Sequence, residues 1–217
     1  MKSTTQNIKA IRLQFGDLTI TAEVEARLEE LGFTPETLID AIGEHKSDCS
    51  GNPSIYCGTY GKYSGEKGIC GLWIDLTTFY DYDDFLNFCY AIHADEEDPE
   101  LMFQDYEAFP KKWYDESSFD EDSFEAVREY SDLCDKYSTD AVDAFIDWDS
   151  EKLEHFEDCS VGEYDSEEDY ARELVNECYD LEKLMGHLSD YFDYDAYARD
   201  LFMYDYYYDN GYVFRHY

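Results

Sequence analysis

Basic residues are what this sequence lacks most: 16 Lys and Arg stand against 53 Asp and Glu in 217 residues, a formal charge of -37. That deficit argues against a protein that holds DNA, RNA or an anionic membrane by charge, because each of these needs a basic face. Cysteine pairing is missing too. Cys49, Cys57, Cys70, Cys89, Cys134, Cys159 and Cys178 are odd in number and contain no CxxC, which points to reduced thiols acting as small core residues. No window approaches eighteen uncharged apolar residues, and no apolar run near the start resembles a signal peptide. The expected location is therefore the cytoplasm, with no membrane contact.

Catalytic signatures are equally scarce. Gly58, Gly61 and Gly65 fit neither GxGxxG nor GxxxxGK[ST], and His45, His93, His155, His187 and His216 form no HxxxH or HExxH pair. One calcium-loop candidate places Asp147, Asp149, Glu151 and Asp158 at positions one, three, five and twelve. It has Lys152 at position six, where the turn requires glycine. With 53 carboxylates, pairs suited to acid–base catalysis arise from composition alone. The expectation is a protein without enzymatic activity, metal or cofactor.

What is present is a core and a field. The chain is 44% hydrophobic, with 22 Tyr, 14 Phe and 3 Trp, too many bulky groups for a disordered acidic tail. The charge must lie on folded surface, where self-repulsion destabilises the compact state while the field attracts cations and basic protein surfaces. Residues 1–52 carry a net charge of -4, residues 53–112 carry -8, residues 113–158 carry -14 and residues 159–217 carry -11. Such blocks differ from the even acidity of a halophilic protein.

Pattern divides the chain at the same places. In residues 1–52, Thr21 caps a helix with Val24, Leu28 and Leu31 inward and Gly32 after its end. Thr34 and Pro35 open a second helix with Leu38, Ile39 and Ile42 along one stripe, ending at Gly43. Two helices so joined could form a DNA-binding helix-turn-helix, but Arg27 is the one base within them, so we read an accessory helical extension. Residues 53–112 read as a hairpin, with strands near Ile55–Tyr60 and Ile69–Leu76, then a helix over Asp81–Ala94 and a strand LMFQDYEAF. Residues 113–158 read as an acidic helical bundle with ten inward apolar positions, capped by Ser117, Ser118 and Ser123 and broken at Ser138 and Thr139. Residues 159–217 mix a helix over Glu167–Tyr179 with a terminal strand GYVFRHY. The fold class is α+β in several small domains.

Carboxylates four residues apart on a helix lie ~6 Å apart along the axis, close to the spacing of successive phosphates on one DNA strand. Asp132, Asp135, Asp140, Asp143 and Asp147 step in this way across two helices. At one charge per ~1.7 Å of duplex, the net charge corresponds to about 60 Å of DNA. A groove lined with Lys and Arg for phosphates would accept such an array.

Three stretches, IYCGTYGKYSGEKGICGLWIDL, HADEEDPELMFQDYEAFP and YFDYDAYARDLFMYDYYYDNGYVF, occur in that order and resemble the ArdA antirestriction proteins of mobile genetic elements over about residues 53–217. The resemblance implies an elongated three-domain mimic of bent B-form DNA that forms a homodimer through its C-terminal domain. It further implies a partner, the type I restriction-modification enzyme, whose methylase and specificity subunits form the groove to be occupied. Carried over residue by residue, the mimic surface comprises Asp95, Glu96, Glu97, Asp98, Glu100, Asp105 and Glu107; residues 113–158, which match by acidity and helical pattern more than by letter, extend it to Asp115, Glu116, Asp120, Glu121, Asp122, Glu125, Glu129, Asp149 and the five aspartates above. In the last stretch Tyr191, Phe192, Tyr194, Tyr197, Leu201 and Phe202 have helical spacing, which makes them core or dimer contacts, with Asp190, Asp193, Asp195, Asp200 and Asp205 around them. The alternative from the residues alone is an acidic module that sequesters another basic protein, such as a nucleoid protein or repressor.

Overall fold

The computed structural model describes residues 8–48, 50–65, 68–148 and 153–216. Over these residues the chain is mixed α and β with three small antiparallel sheets, and it divides into two compact units between Ser131 and Asp132.

The first unit opens with a two-stranded ribbon, β1 (Ala10–Arg12) and β2 (Asp17–Thr19), which the sequence reading did not anticipate. Strands of three residues are too short for alternation to register. Helix α1 (Ala22–Glu30) starts at Thr21, whose hydroxyl accepts from the Val24 N–H, and stops before Gly32 at φ 85°. There the Phe33 N–H reaches back to the Leu28 carbonyl at 2.8 Å, a closure that needs the left-handed residue between them. Helix α2 (Pro35–His45) begins at Thr34 as expected but continues through Gly43 to His45. Of its stripe Leu38 is buried while Ile39 is exposed.

Strand β3 (Ser54–Thr59) is buried at every position and lies between β4 (Leu72–Asp75) and β5 (Leu101–Glu107). The expected hairpin is therefore present, with a short helix α3 (Tyr60–Ser64) inside its connection. Gly71 is required where the chain returns, because a Cβ there would lie 2.0 Å from the Cys57 carbonyl oxygen. Both edge strands have main-chain partners besides β3. Phe15 bridges Gly71 and Lys46 bridges Ile74 along β4, while the Phe103 N–H of β5 bonds to the Glu116 carbonyl at 2.8 Å. Covered edges do not recruit strands from other chains.

Helix α4 (Tyr82–Ala91) starts at Asp81, which caps the Asp84 N–H, and ends three residues before the expected Ala94. Its Phe85 is the hub of the core, with ring centroids 5.4 to 6.1 Å from Phe79, Phe103, Phe119 and Phe124. Phe124 lies on α5 (Glu121–Lys136), the helix within which the first unit ends.

The second unit contains α6 (Thr139–Trp148), α7 (Phe156–Cys159), β6 (Ser160–Glu163), α8 (Glu167–Cys178), α9 (Leu181–Met185), α10 (Tyr194–Tyr204), β7 (Tyr206–Asp209) and β8 (Tyr212–Arg215). Strand β8 is the centre of the sheet, as the terminal run suggested, with β6 and β7 on either side. Strand β7 was missed, although the Asn210–Gly211 turn that joins it to β8 has φ of 48° and 90° at its two positions, a common signature of a two-residue hairpin. Phe145, Phe156 and Phe214 pack within 5.4 to 6.2 Å of one another, so α6, α7 and β8 share one core. Trp148 stacks on Tyr207 of β7 at 5.4 Å. All ten apolar positions expected to face inward between residues 119 and 156 are buried.

A candidate protein-binding surface built from carboxylates

The acids inherit their exposure from the same periodicity that buries the rings. On α5, Phe124, Val127, Tyr130 and Leu133 face the interior. In the first unit this leaves Glu121, Asp122, Glu125 and Glu129 exposed. Glu121, Glu125 and Glu129 follow one another at steps of four, ~6 Å along the axis each. In the second unit Asp132 and Asp135 are exposed on the last turns. On α6, burial of Ala141, Val142, Ala144, Phe145 and Ile146 leaves Asp140, Asp143 and Asp147 outside. At ~100° per residue these three fall within an arc of about 60°.

Loop acids are held by backbone. Asp115 accepts from the Ser117 N–H at 2.8 Å, the Ser117 hydroxyl at 2.6 Å and the Ser118 N–H at 3.1 Å. Asp120 accepts from the Ser123 N–H at 3.0 Å and so starts α5. The expected serine caps are thus reversed: Ser117, Ser118 and Ser123 donate to aspartates. A carboxylate accepts more strongly than a hydroxyl and complements the positive end of the helix dipole. Bonds from Ser117 lower the pKa of Asp115, and the Ser123 amide does the same for Asp120.

Glu100, Asp105, Asp115 and Glu116 are gathered around two tyrosines. Burial, followed by Glu116, Glu100 and Asp115, raises the Tyr60 pKa; burial, followed by Glu116, Asp105 and Asp115, raises that of Tyr114. Tyr114 donates to the Phe103 carbonyl at 2.7 Å, which lays residues 114–116 beside β5. Glu97, Asp98, Glu100, Asp105, Glu107, Asp115 and Glu116 are all exposed.

Asp95 and Glu96 are placed differently. Lys62 of α3 is 5% exposed, and its ammonium lies 2.6 Å from Asp95 and 3.6 Å from Glu96. It also donates to His93 Nδ1 at 2.9 Å, which puts the ring proton on Nε2, facing the Cys57 carbonyl. Glu96 further accepts from the Thr59 hydroxyl at 2.7 Å. Pattern alone could not separate these two acids from their neighbours.

Other bases are similarly engaged inside the chain. Arg128 donates to the Tyr80 carbonyl at 2.9 Å beside Glu125, Lys136 pairs with Glu157, Arg172 with Glu168, and Arg199 with Asp195. Paired cations contribute little outward field, so exposed carboxylates dominate each unit. Among the described residues no helix is long and apolar enough to cross a membrane. Asp149, Glu151 and Lys152 of the calcium-loop candidate lie outside the described residues.

A family model described as antirestriction protein (ArdA) matches residues 55–214. The chain belongs to the ArdA antirestriction family. No curated protein matches it. The match runs from Ile55 in β3 to Phe214 in β8 and so includes every carboxylate named above, while the β1–β2 ribbon, α1 and α2 precede it. In ArdA terms, the chain is an antirestriction protein with an N-terminal addition.

Of Tyr191, Tyr194, Tyr197 and Phe202, the rings expected at a core or dimer contact, Tyr191 is 80% exposed, at the end of a short 3-10 helix (Gly186–Tyr191) ahead of α10. Tyr194, Tyr197 and Phe202 are half-buried. The Arg172 guanidinium covers the Tyr194 ring at 4.1 Å, Phe192 packs against Tyr197 at 5.7 Å, and Phe202 meets Tyr170 at 5.8 Å. Leu184, Leu188, Met203 and Tyr204, which the sequence reading did not single out, are more exposed than these three.

Proposed function

We propose that the chain blocks type I restriction-modification enzymes by occupying the groove that holds their DNA. The observation that carries this reading is that each unit by itself exposes carboxylates, the first on α5 and in the loop acids Glu97 to Glu116 and the second on α6, on a chain of the ArdA family. A groove formed by methylase and specificity subunits must present Lys and Arg to phosphates, and it would meet carboxylates at similar spacing here. Release of counterions from both surfaces favours the complex, as it does for DNA. Since the mimic replaces DNA without reacting, neither catalysis nor a cofactor is required, and the protein would act in the cytoplasm where incoming DNA is met.

Self-association belongs to the same proposal. Leu184, Leu188, Tyr191, Met203 and Tyr204 leave apolar surface on the second unit, more than an acidic monomer gains from keeping in water. The half-buried rings of Tyr194, Tyr197 and Phe202 would back such a contact.

The test is competition. At low salt the purified protein is expected to displace duplex DNA from a type I methyltransferase, with displacement weakening as salt rises. Failure to displace DNA at low salt would sink the proposal. Recovery of a nucleoid protein or repressor in place of methylase and specificity subunits would favour sequestration of another basic partner.

A further inference from the structure

The residues before the family match bear on the acidic surface through one side chain. Arg27 of α1 donates from Nη1 to two main-chain oxygens, those of Ala94 and Glu96, the second at 3.0 Å. These carbonyls belong to the turns that follow α4, where His93, Ala94 and Glu96 donate back to Tyr90, Ala91 and His93. Five acids lie there within six residues: Asp95, Glu96, Glu97, Asp98 and Glu100. The two oxygens lie beyond the end of α4, among carboxylates whose like charges repel one another and those oxygens. A guanidinium bonded to both oxygens counters that repulsion. Oxygens two residues apart can converge on one nitrogen only when the backbone between them is bent, so the bond also sets the bend.

We infer that Arg27 is a positioning residue for the acidic turn 95–100, and that the N-terminal addition thereby shapes the surface offered to the partner. Lys62 fixes the side chains of Asp95 and Glu96 while Arg27 fixes their backbone. Together they turn Glu97, Asp98 and Glu100 outward. The contribution to binding rests on the mimicry reading; the contribution to the turn does not.

The two readings of Arg27 predict opposite signs. If only net charge mattered, Arg27→Ala would make the protein one unit more acidic and a better competitor. Positioning predicts a competitor weaker by roughly threefold to tenfold, with Arg27→Lys between alanine and wild type, because lysine keeps the charge but its ammonium stands closer to the backbone than Arg27 Nη1 and lacks the fixed plane of the guanidinium. The experiment measures displacement of DNA from a type I methyltransferase by full-length wild type, Arg27→Ala and Arg27→Lys. It also measures amide exchange at Glu96 in the free proteins, expected to quicken by about tenfold in Arg27→Ala. Equal or stronger competition by the alanine variant, with unchanged exchange, overturns the inference. If that variant lacks a cooperative thermal transition, Arg27→Lys carries both readouts, and wild-type values in both overturn it. If wild type itself displaces no DNA, the mimicry reading falls and exchange alone decides the role of Arg27: faster exchange upholds it and unchanged exchange refutes it.

Discussion

Lys62 and Tyr56 bury polar atoms with opposite outcomes. The ammonium of Lys62 has His93 Nδ1 and two carboxylates around it, and removing one partner of such a buried set generally costs several kcal/mol because the others are left uncompensated. Tyr56 is 4% exposed, and among the described residues its hydroxyl is the buried side-chain polar atom without a hydrogen-bond partner. Burial, aided by Cys70 and Cys57, pushes its pKa upward. Since an unsatisfied buried hydroxyl carries a desolvation cost of ~1–3 kcal/mol, Tyr56→Phe is expected to be neutral or to stabilise by up to about 1 kcal/mol. Urea unfolding of the two proteins checks this, and a loss above about 1 kcal/mol would show that the hydroxyl has a partner. At this scale the sequence was least informative: Asp95 and Glu97 are the same kind of residue in the same run, and only the position of Lys62 distinguishes them.

Elements were more legible because period reports burial. The apolar spacing of α5, α6 and α8 located these helices to within a few residues, and all ten predicted core positions between 119 and 156 are buried. Caps were less legible, since Ser and Asp compete for the same role and Asp prevails at residue 120 through its charge. The acidic face of α6 gives a clean test. Neutralising Asp140, Asp143 and Asp147 to Asn removes a favourable charge from the first turn and an unfavourable one from the last, so stability should change little. Three exposed pairs at roughly 0.5 kcal/mol apiece predict about a tenfold loss in competition with DNA. Thermal unfolding and the displacement assay measure the two quantities, and full competition by the triple variant would remove α6 from the proposed surface.

For the whole molecule the net charge of -37 sets two responses to salt with opposite signs. Screening relieves self-repulsion, so the thermal midpoint is expected to rise between about 10 mM and 500 mM NaCl, where the Debye length falls from ~30 Å to a few ångströms. Over the same range competition for the partner's DNA groove should weaken, since each counterion released into a more concentrated bulk gains less entropy. Scanning calorimetry and displacement assays on one salt series compare the two; parallel trends would contradict the electrostatic account.

Charge, the absence of catalytic spacing and the aromatic scaffold follow from composition and order, because a field and a hydrophobic period are sums over residues that need no coordinates. The family resemblance likewise follows from three ordered stretches, and the match over residues 55–214 agrees with it. Folding decided what depends on distant contacts. It brought Phe15 and Lys46 to the edge of β4, placed β7 beside β8 through the Asn210–Gly211 turn, and set Arg27 against carbonyls 67 and 69 residues further along the chain. Such contacts are governed by which surfaces meet, and no local period records that.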